Sequence, residues 1–345
     1  MFDHLIGNDP VKDALTRLRR SGRIPNSLLF VGDEGVGKRE FALEIARSFL
    51  CTSGSEGEAC GSCSACIRSI NLNLPDSEKK DDYERVHFSD HADLGLVLAH
   101  NKNILVDAIR ALEVEAHYRP FEAAARFFII DDAHKLNDAA SNALLKTLEE
   151  PFPTSHIFLI TSRPGSLLPT IRSRCQTVRF SPIAANEIAA NLILRTGLGK
   201  EDAALTASLA KGSMGRALEL DLAAHRESRE IFLRLLEALI QSKNLGEVLK
   251  IAEEISDPKN KDSFENNLDL LQGLIHDIWS AQTSGTNTRV VNIDVVDTIS
   301  AFGRKASQNS LIEWMGQIEE LKRNLGVNVN KKIATDALLV KMAGA

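Results

Sequence analysis

Between Gly32 and Arg39 the chain reads Gly-Asp-Glu-Gly-Val-Gly-Lys-Arg. Gly32, four residues, then Gly37-Lys38 is the spacing of a loop whose backbone N–H groups close around phosphate oxygens at a helix N-terminus. Lys38 is expected to reach the outer phosphates. The position after the lysine ordinarily carries Ser or Thr, whose hydroxyl completes a Mg²⁺ shell. Here it is Arg39, which is no ligand for a hard cation. The loop, lined by Gly32, Gly35, Gly37, Lys38 and Arg39, can therefore cradle phosphates but is poorly equipped for hydrolysis: Mg²⁺ is not expected to be held well, and ATP or ADP at most weakly. Asp33 and Glu34 add negative charge at the same tip. An ordinary glycine-rich turn from strand to helix would have the same local pattern.

Cysteines form the second chemical group. Cys51, Cys60, Cys63 and Cys66 are spaced C-x8-C-x2-C-x2-C. Tetrahedral Zn²⁺ takes four thiolates at short reach, and the C-x2-C steps, with Gly61 and Ser62 between them, allow the turn that gathers them. A redox site needs only one C-x-x-C. With all four ligands from protein, no position is left open for catalysis, so the metal is expected to be a structural clip. A zinc module that reads nucleic acid would need a basic surface, whereas Arg68 here stands among Glu56, Glu58 and Asp76.

A third group ends a strand. Arg126-Phe127-Phe128-Ile129-Ile130 is a short apolar run closed by Asp131 and Asp132, at the strand end where open α/β sheets keep their ligand chemistry. Asp131 is expected as the direct or indirect Mg²⁺ partner of the phosphate loop. Asp132 stands where many ATPases carry a Glu base, one methylene longer. Two surface acids closing a core strand are the alternative. The next apolar run, His156 to Ile160, ends in Thr161-Ser162, polar groups able to orient a water or phosphate, or simply to cap the strand.

The elements that position these residues are legible from periodicity. Val11, Leu15 and Leu18 mark a helix over 9–22, with Pro10 near its start and Gly22 past its end. Leu28 to Val31 is the strand before the loop, and Phe41, Ile45 and Phe49 give the following helix one apolar face. Residues 71–90 are polar and read as a loop or insertion, in which His87 and His91 are expected to be solvated rather than ligating. Ile104, Ala108, Ile109 and Leu112 mark another helix, and Asp138 to Glu150 a further one, with Ala143, Leu144 and Leu148 inward and Pro151 as its stop. Beyond residue 224 only helical sets remain: Ile231, Leu235, Ala238, Leu239; Leu249, Ala252, Ile255; Leu268, Leu271, Ile275, Ile278. Polar breaks at 256–263 and 281–289 separate them.

Composition bounds the class. A chain of 345 residues has room for two or three domains, and 43% hydrophobic with 26% charged residues is ordinary for a globular protein. A net charge of -6 and only 5% aromatics argue against a free-standing nucleic-acid binder. Neither an export signal nor a membrane-length apolar run is present, so the cytoplasm is expected.

Taken together, the phosphate loop, the Asp131-Asp132 strand end, the run Asn142-Ala143-Leu144-Leu145-Lys146-Thr147-Leu148-Glu149-Glu150-Pro151 and Ser173-Arg174-Cys175 resemble the clamp-loader subunits of the AAA+ superfamily. The cysteine spacing is similar to that of bacterial members. Arg39 after the lysine and Asp132 at the base position resemble the delta-prime family of the DNA polymerase III clamp loader rather than gamma/tau, its active ATPase and the alternative reading. The resemblance implies an α/β P-loop AAA+ domain with a parallel sheet over 1–181, carrying the zinc insertion at 51–66. A small helical lid over 182–223 and an all-helical collar over 224–345 would follow. It also implies a hetero-pentamer with gamma/tau and delta subunits that loads a sliding clamp on primed DNA. In that setting Arg174 acts as an arginine finger on the neighbouring subunit's ATP, Thr161 falls in the first sensor, and Arg216, after Gly212-Ser213-Met214-Gly215, is the second sensor facing this chain's own pocket. As bare sequence, Gly215-Arg216 is equally a helix-capping loop, and an ordinary salt bridge beneath Cys175 is the lesser alternative for Arg174.

Overall fold

The computed structural model describes residues 2, 4–54, 58–75, 79–242, 244–255, 264–283, 290–324 and 330–344. They pack as two compact units, one of residues 1–191 with 211–218, the other of residues 192–210 with 219–345.

The first unit is built on a six-stranded sheet. In chain order its elements are α1 (Asp9–Ser21), β1 (Ser27–Val31), α2 (Lys38–Leu50), α3 (Ser64–Ile70), β2 (His87–Phe88), β3 (Leu94–Val97), α4 (Val106–Ala116), β4 (Arg126–Ile130), α5 (Asp138–Glu149), β5 (Ser155–Thr161), α6 (Pro169–Ser173) and β6 (Gln176–Arg179). The strand order is β2-β3-β4-β5-β1-β6, and every pairing is parallel except β2 with β3. Parallel strands need both faces covered, and the alternation of side chains shows how. Leu28, Phe30, Phe127, Ile129, Phe158 and Ile160 point into one core with Val11 and Leu15 of α1 and Phe41 and Ile45 of α2. Leu29, Val31, Phe128, Ile130, Ile157 and Leu159 point to the opposite core, under Ile109 and Leu112 of α4 and Leu144 and Leu148 of α5. The sheet order puts β1 between β5 and β6, and β4 beside β5. The loop after β1 and the acids after β4 therefore open on the same edge of the sheet, with one strand end, that of β5, between them.

Two sequence expectations are corrected here. Residues 71–90 are not a plain loop: a 3₁₀ turn at Lys80–Tyr83 and strand β2 lie within them, and β3 follows. His87 and His91 are buried, at 5% and 1% exposure, and burial lowers the pKa of both. Neither is solvated. His91 Nδ1 accepts the Asp93 N–H at 3.2 Å, and its Nε2 lies 3.6 Å from Glu122 Oε1.

After β6 come α7 (Ala185–Thr196), α8 (Lys200–Leu209), α9 (Met214–Glu219), α10 (Leu222–Glu237), α11 (Leu245–Ile255), α12 (Phe264–Thr283), α13 (Val296–Lys305), α14 (Gln308–Asn324) and α15 (Lys331–Met342). The second unit is thus helical among the described residues. Its core gathers Leu235 and Leu236 of α10, Ile251 of α11, Leu271, Ile275 and Ile278 of α12, Ile299 of α13, Ile318 of α14 and Leu339 of α15. Leu249, although in phase with the apolar set, is 42% exposed. The polar break expected at 256–263 lies outside the described residues, as do 284–289 of the second break. Its first residues, Ala281 to Thr283, are still part of α12. No helix among the described residues is long and apolar enough to cross a membrane.

Candidate functional site

The phosphate loop leaves β1 and becomes α2 through two glycines in left-handed backbone, Gly35 at φ 73° and Gly37 at φ 92°. Gly37 caps α2, so the first free N–H groups of the helix face the loop interior. Gly35 has a second reason to lack a side chain. Its carbonyl accepts the Gly215 N–H at 2.9 Å, and a Cβ there would meet Ser213 Oγ at 2.2 Å. Ser213 and the start of α9 thus lie directly on the tip of the loop. Ser213 Oγ in turn accepts the Arg216 N–H at 3.1 Å, and the Arg216 side chain is exposed.

Lys38 is 7% exposed, and its Nζ donates to the carbonyls of Gly32 at 2.8 Å and Asp33 at 2.6 Å. Burial lowers its pKa, opposed by the charges of Asp131, Asp132, Glu34 and Asp33. Arg39 is only partly exposed. Its Nη1 stands 3.4 Å from Asp131 Oδ2, with the two side chains 33% and 22% exposed. Burial raises the Asp131 pKa and Arg39 acts against that. Asp132 has turned away: it sits at φ 51°, and its Oδ2 pairs with Lys135 Nζ at 2.8 Å. Thr161 is fully buried, and its Oγ1 accepts the Arg163 N–H at 3.0 Å, as a residue capping its own strand does. The structure therefore brings Lys38, Arg39 and Asp131 together, lays the Gly215 backbone on the loop, and directs Asp132 to Lys135.

Arg174 belongs to another edge. It closes α6, where Nη2 lies 2.5 Å from Glu149 Oε1 at the end of α5 and Nη1 donates to the Thr170 carbonyl at 2.9 Å. Asn137 fixes the far end of α5 by accepting the Ala140 N–H at 2.9 Å. Among the described residues no hydrogen bond or ion pair joins Arg174 to the phosphate loop. Burial pushes the neighbouring Cys175 thiol up to about 12. Glu149 was visible in the sequence run preceding Pro151, but nothing in its spacing announced that it would hold Arg174.

The four cysteines converge. Cys51 ends α2, Cys63 caps α3, Cys66 lies in the first turn of α3, and all four Sγ atoms lie within 4.8 Å of one another. The Cys51–Cys63 and Cys60–Cys66 sulfurs are 3.8 and 4.0 Å apart. Thiolates about 2.3 Å from one tetrahedral ion stand about 3.8 Å from each other, so the set fits a metal. Backbone N–H groups of Cys60, Cys63 and Cys66 donate to the sulfurs of Cys51, Cys60 and Cys63 at 3.2 to 3.4 Å, which favours thiolates. The donation from Cys66 is the main reason that Cys63 falls to about 5, whereas burial pushes Cys66 up to about 12. Of the acids expected near this cluster, Glu56 and Asp76 lie outside the described residues. Arg68 is engaged by Glu122 through two contacts of 2.6 and 2.7 Å, which tie α3 to the segment before β4.

Comparison with known proteins identifies the family. A family described as "DNA polymerase III, delta subunit" matches residues 7–184, and its C-terminal counterpart, "DNA polymerase III, delta subunit, C terminal", matches 226–343. The DNA polymerase III subunit delta' of Bacillus subtilis is 31% identical over 311 residues, covering 89% of this chain and 88% of the relative. The delta' subunit of Escherichia coli is 28% identical over 336 residues, covering 96% and 92%. The gamma/tau subunit of Mycobacterium tuberculosis is 34% identical, but over 206 residues that cover 59% of this chain and 33% of that one.

Proposed function

Because the chain belongs to the DNA polymerase III delta-subunit family, we propose that within the clamp loader it acts as the delta-prime type of subunit. It is a rigid partner that donates Arg174 to a neighbour's ATP and turns over none of its own. The observation that carries this reading is Arg39, paired with Asp131 where a hydrolytic site keeps a hydroxyl and a metal. Asp132, at the base position, is paired to Lys135 rather than left free to orient a water. Lys38 and the loop amides remain available to phosphate.

In the assembly we assign residues 224–345 to a collar that joins gamma/tau and delta subunits in a hetero-pentamer, and 182–223 to a lid. The sliding clamp and primed DNA are the loader's other partners, in the cytoplasm. Cys51, Cys60, Cys63 and Cys66 would hold one Zn²⁺ as a clip joining the end of α2 to α3. Chemistry at the neighbour's site needs a cation on the transferred phosphoryl group, and the planar fork of Arg174 supplies it. In the isolated chain Glu149 and the Thr170 carbonyl hold that fork.

ATP turnover by the purified chain alone tests the reading. It should be negligible. Turnover near the roughly 1 s⁻¹ low end of ordinary enzymes, abolished by Lys38→Ala, would favour an active gamma/tau type of subunit instead.

A further inference from the structure

Where the phosphate loop lacks a metal-binding hydroxyl, it holds a cation of its own. Arg39 is the second residue of α2, the position from which a Ser or Thr would reach Mg²⁺. Its guanidinium stands 3.4 Å from the Asp131 carboxylate, the group that would be the metal's partner across the site. Mg²⁺ demands near-octahedral oxygen coordination and keeps several waters. Here one protein oxygen donor is missing, the other is engaged by Arg39, and a second positive charge, Lys38, lies beside them. The residues present do not fit the ion.

They do fit phosphate. The glycine backbone and the N-terminus of α2 supply amide donors. Lys38 is held by two neutral carbonyls, contacts that it can exchange for stronger charge-assisted bonds to phosphate oxygens. Arg39 is 33% exposed, so part of its donor fork remains free to turn toward the same oxygens while it stays near Asp131.

We propose that Arg39 is a tethered replacement for the metal ion, and that the loop takes the phosphates of a nucleoside di- or triphosphate without Mg²⁺. The inference rests on the reading of this loop as a phosphate site and goes beyond it by assigning the counter-ion. A guanidinium neutralises phosphate charge but has no open coordination site with which to activate a water, so a nucleotide held this way is a resident ligand rather than a substrate.

Calorimetric titration of the full chain with ADP and with ATP, each in Mg²⁺ and in EDTA, tests this. The dissociation constants in the two buffers should agree within about threefold. Arg39→Ser restores the hydroxyl and frees Asp131, so its binding should become metal-dependent, at least about tenfold tighter in Mg²⁺ than in EDTA. Arg39→Lys keeps a cation and should stay metal-independent. The proposal is overturned if the wild-type chain loses tenfold or more in affinity in EDTA, if it binds neither nucleotide in either buffer, or if folded Arg39→Ser gains no metal dependence. Should Arg39→Ser fail to fold, the wild-type comparison and Arg39→Lys decide the matter. The role of Arg174 is read from hydrolysis by the assembled loader, so the two readings fail separately.

Discussion

Two arginines in the first unit each face a carboxylate, and they differ in what surrounds the pair. Arg39 reaches Asp131 at the end of β4, with an acid only 22% exposed and a contact of 3.4 Å. Arg174 reaches Glu149 at the rim of α5 and α6, with an acid 49% exposed and a shorter contact of 2.5 Å. The shorter contact is the more expendable one. An exposed pair is screened by water and is worth roughly 0–1 kcal/mol, so Arg174 can leave Glu149 for a phosphoryl group at little cost. Asp131 has less water to fall back on, and removing its partner leaves a largely desolvated charge. The same residue type thus plugs one site and serves another, and burial decides which.

Breaking the inner pair should have the larger effect on stability. Arg39→Ala is expected to cost about 1–3 kcal/mol near neutral pH, from the desolvated carboxylate left behind. The pH dependence has a definite sign. Burial raises the folded-state pKa of Asp131 above its unfolded value, so folding loses stability as pH rises through that interval, and without Arg39 the loss is greater. The penalty of Arg39→Ala should therefore be full above the folded-state pKa and shrink as acid protonates Asp131. Urea unfolding at neutral and mildly acidic pH measures it. A pH-independent penalty would mean that packing rather than charge is lost.

The outer pair gives the smaller number. Arg174→Ala should change the unfolding free energy of the isolated chain by less than about 1 kcal/mol. A larger loss would make Arg174 a structural residue and erase the contrast.

The zinc clip should affect neither pair. Cys63→Ser is expected to lower bound metal from about one ion per chain toward none and to loosen the segment between α2 and α3. The main unfolding transition and the nucleotide affinity should barely move. Metal analysis finding no zinc in wild-type protein prepared without chelator would remove the clip altogether.

Much of this contrast was legible in the residues, and what was not has physical reasons. The apolar runs of β1, β4 and β5 announced strands buried on both faces, and the glycine-lysine spacing announced the loop between β1 and α2. β3 escaped because it is only four residues long and contains Gly95, where a Cβ would meet Val86 Cγ1 at 2.5 Å. His87 and His91 looked solvated because their neighbours in sequence are polar, whereas His87 is paired with Leu96 in the sheet and His91 is buried in the connection between β2 and β3. Arg39 was recognised as a poor metal ligand from its type alone. Its engagement with Asp131 joins residues 39 and 131, and only the sheet order brings them together. The same holds for Glu149 and Arg174, each visible in a motif but brought together by packing of α6 on α5.

Single-turnover ATP hydrolysis by the loader reconstituted with this chain and an active gamma/tau neighbour, with Arg174→Ala in place of the wild-type residue, tests the central claim most directly. Assembly should stay intact while hydrolysis at the one site that Arg174 serves falls by about 10³ to 10⁵, with clamp loading impaired and Arg174→Lys restoring little. Intact assembly with hydrolysis and loading both unchanged would contradict the account.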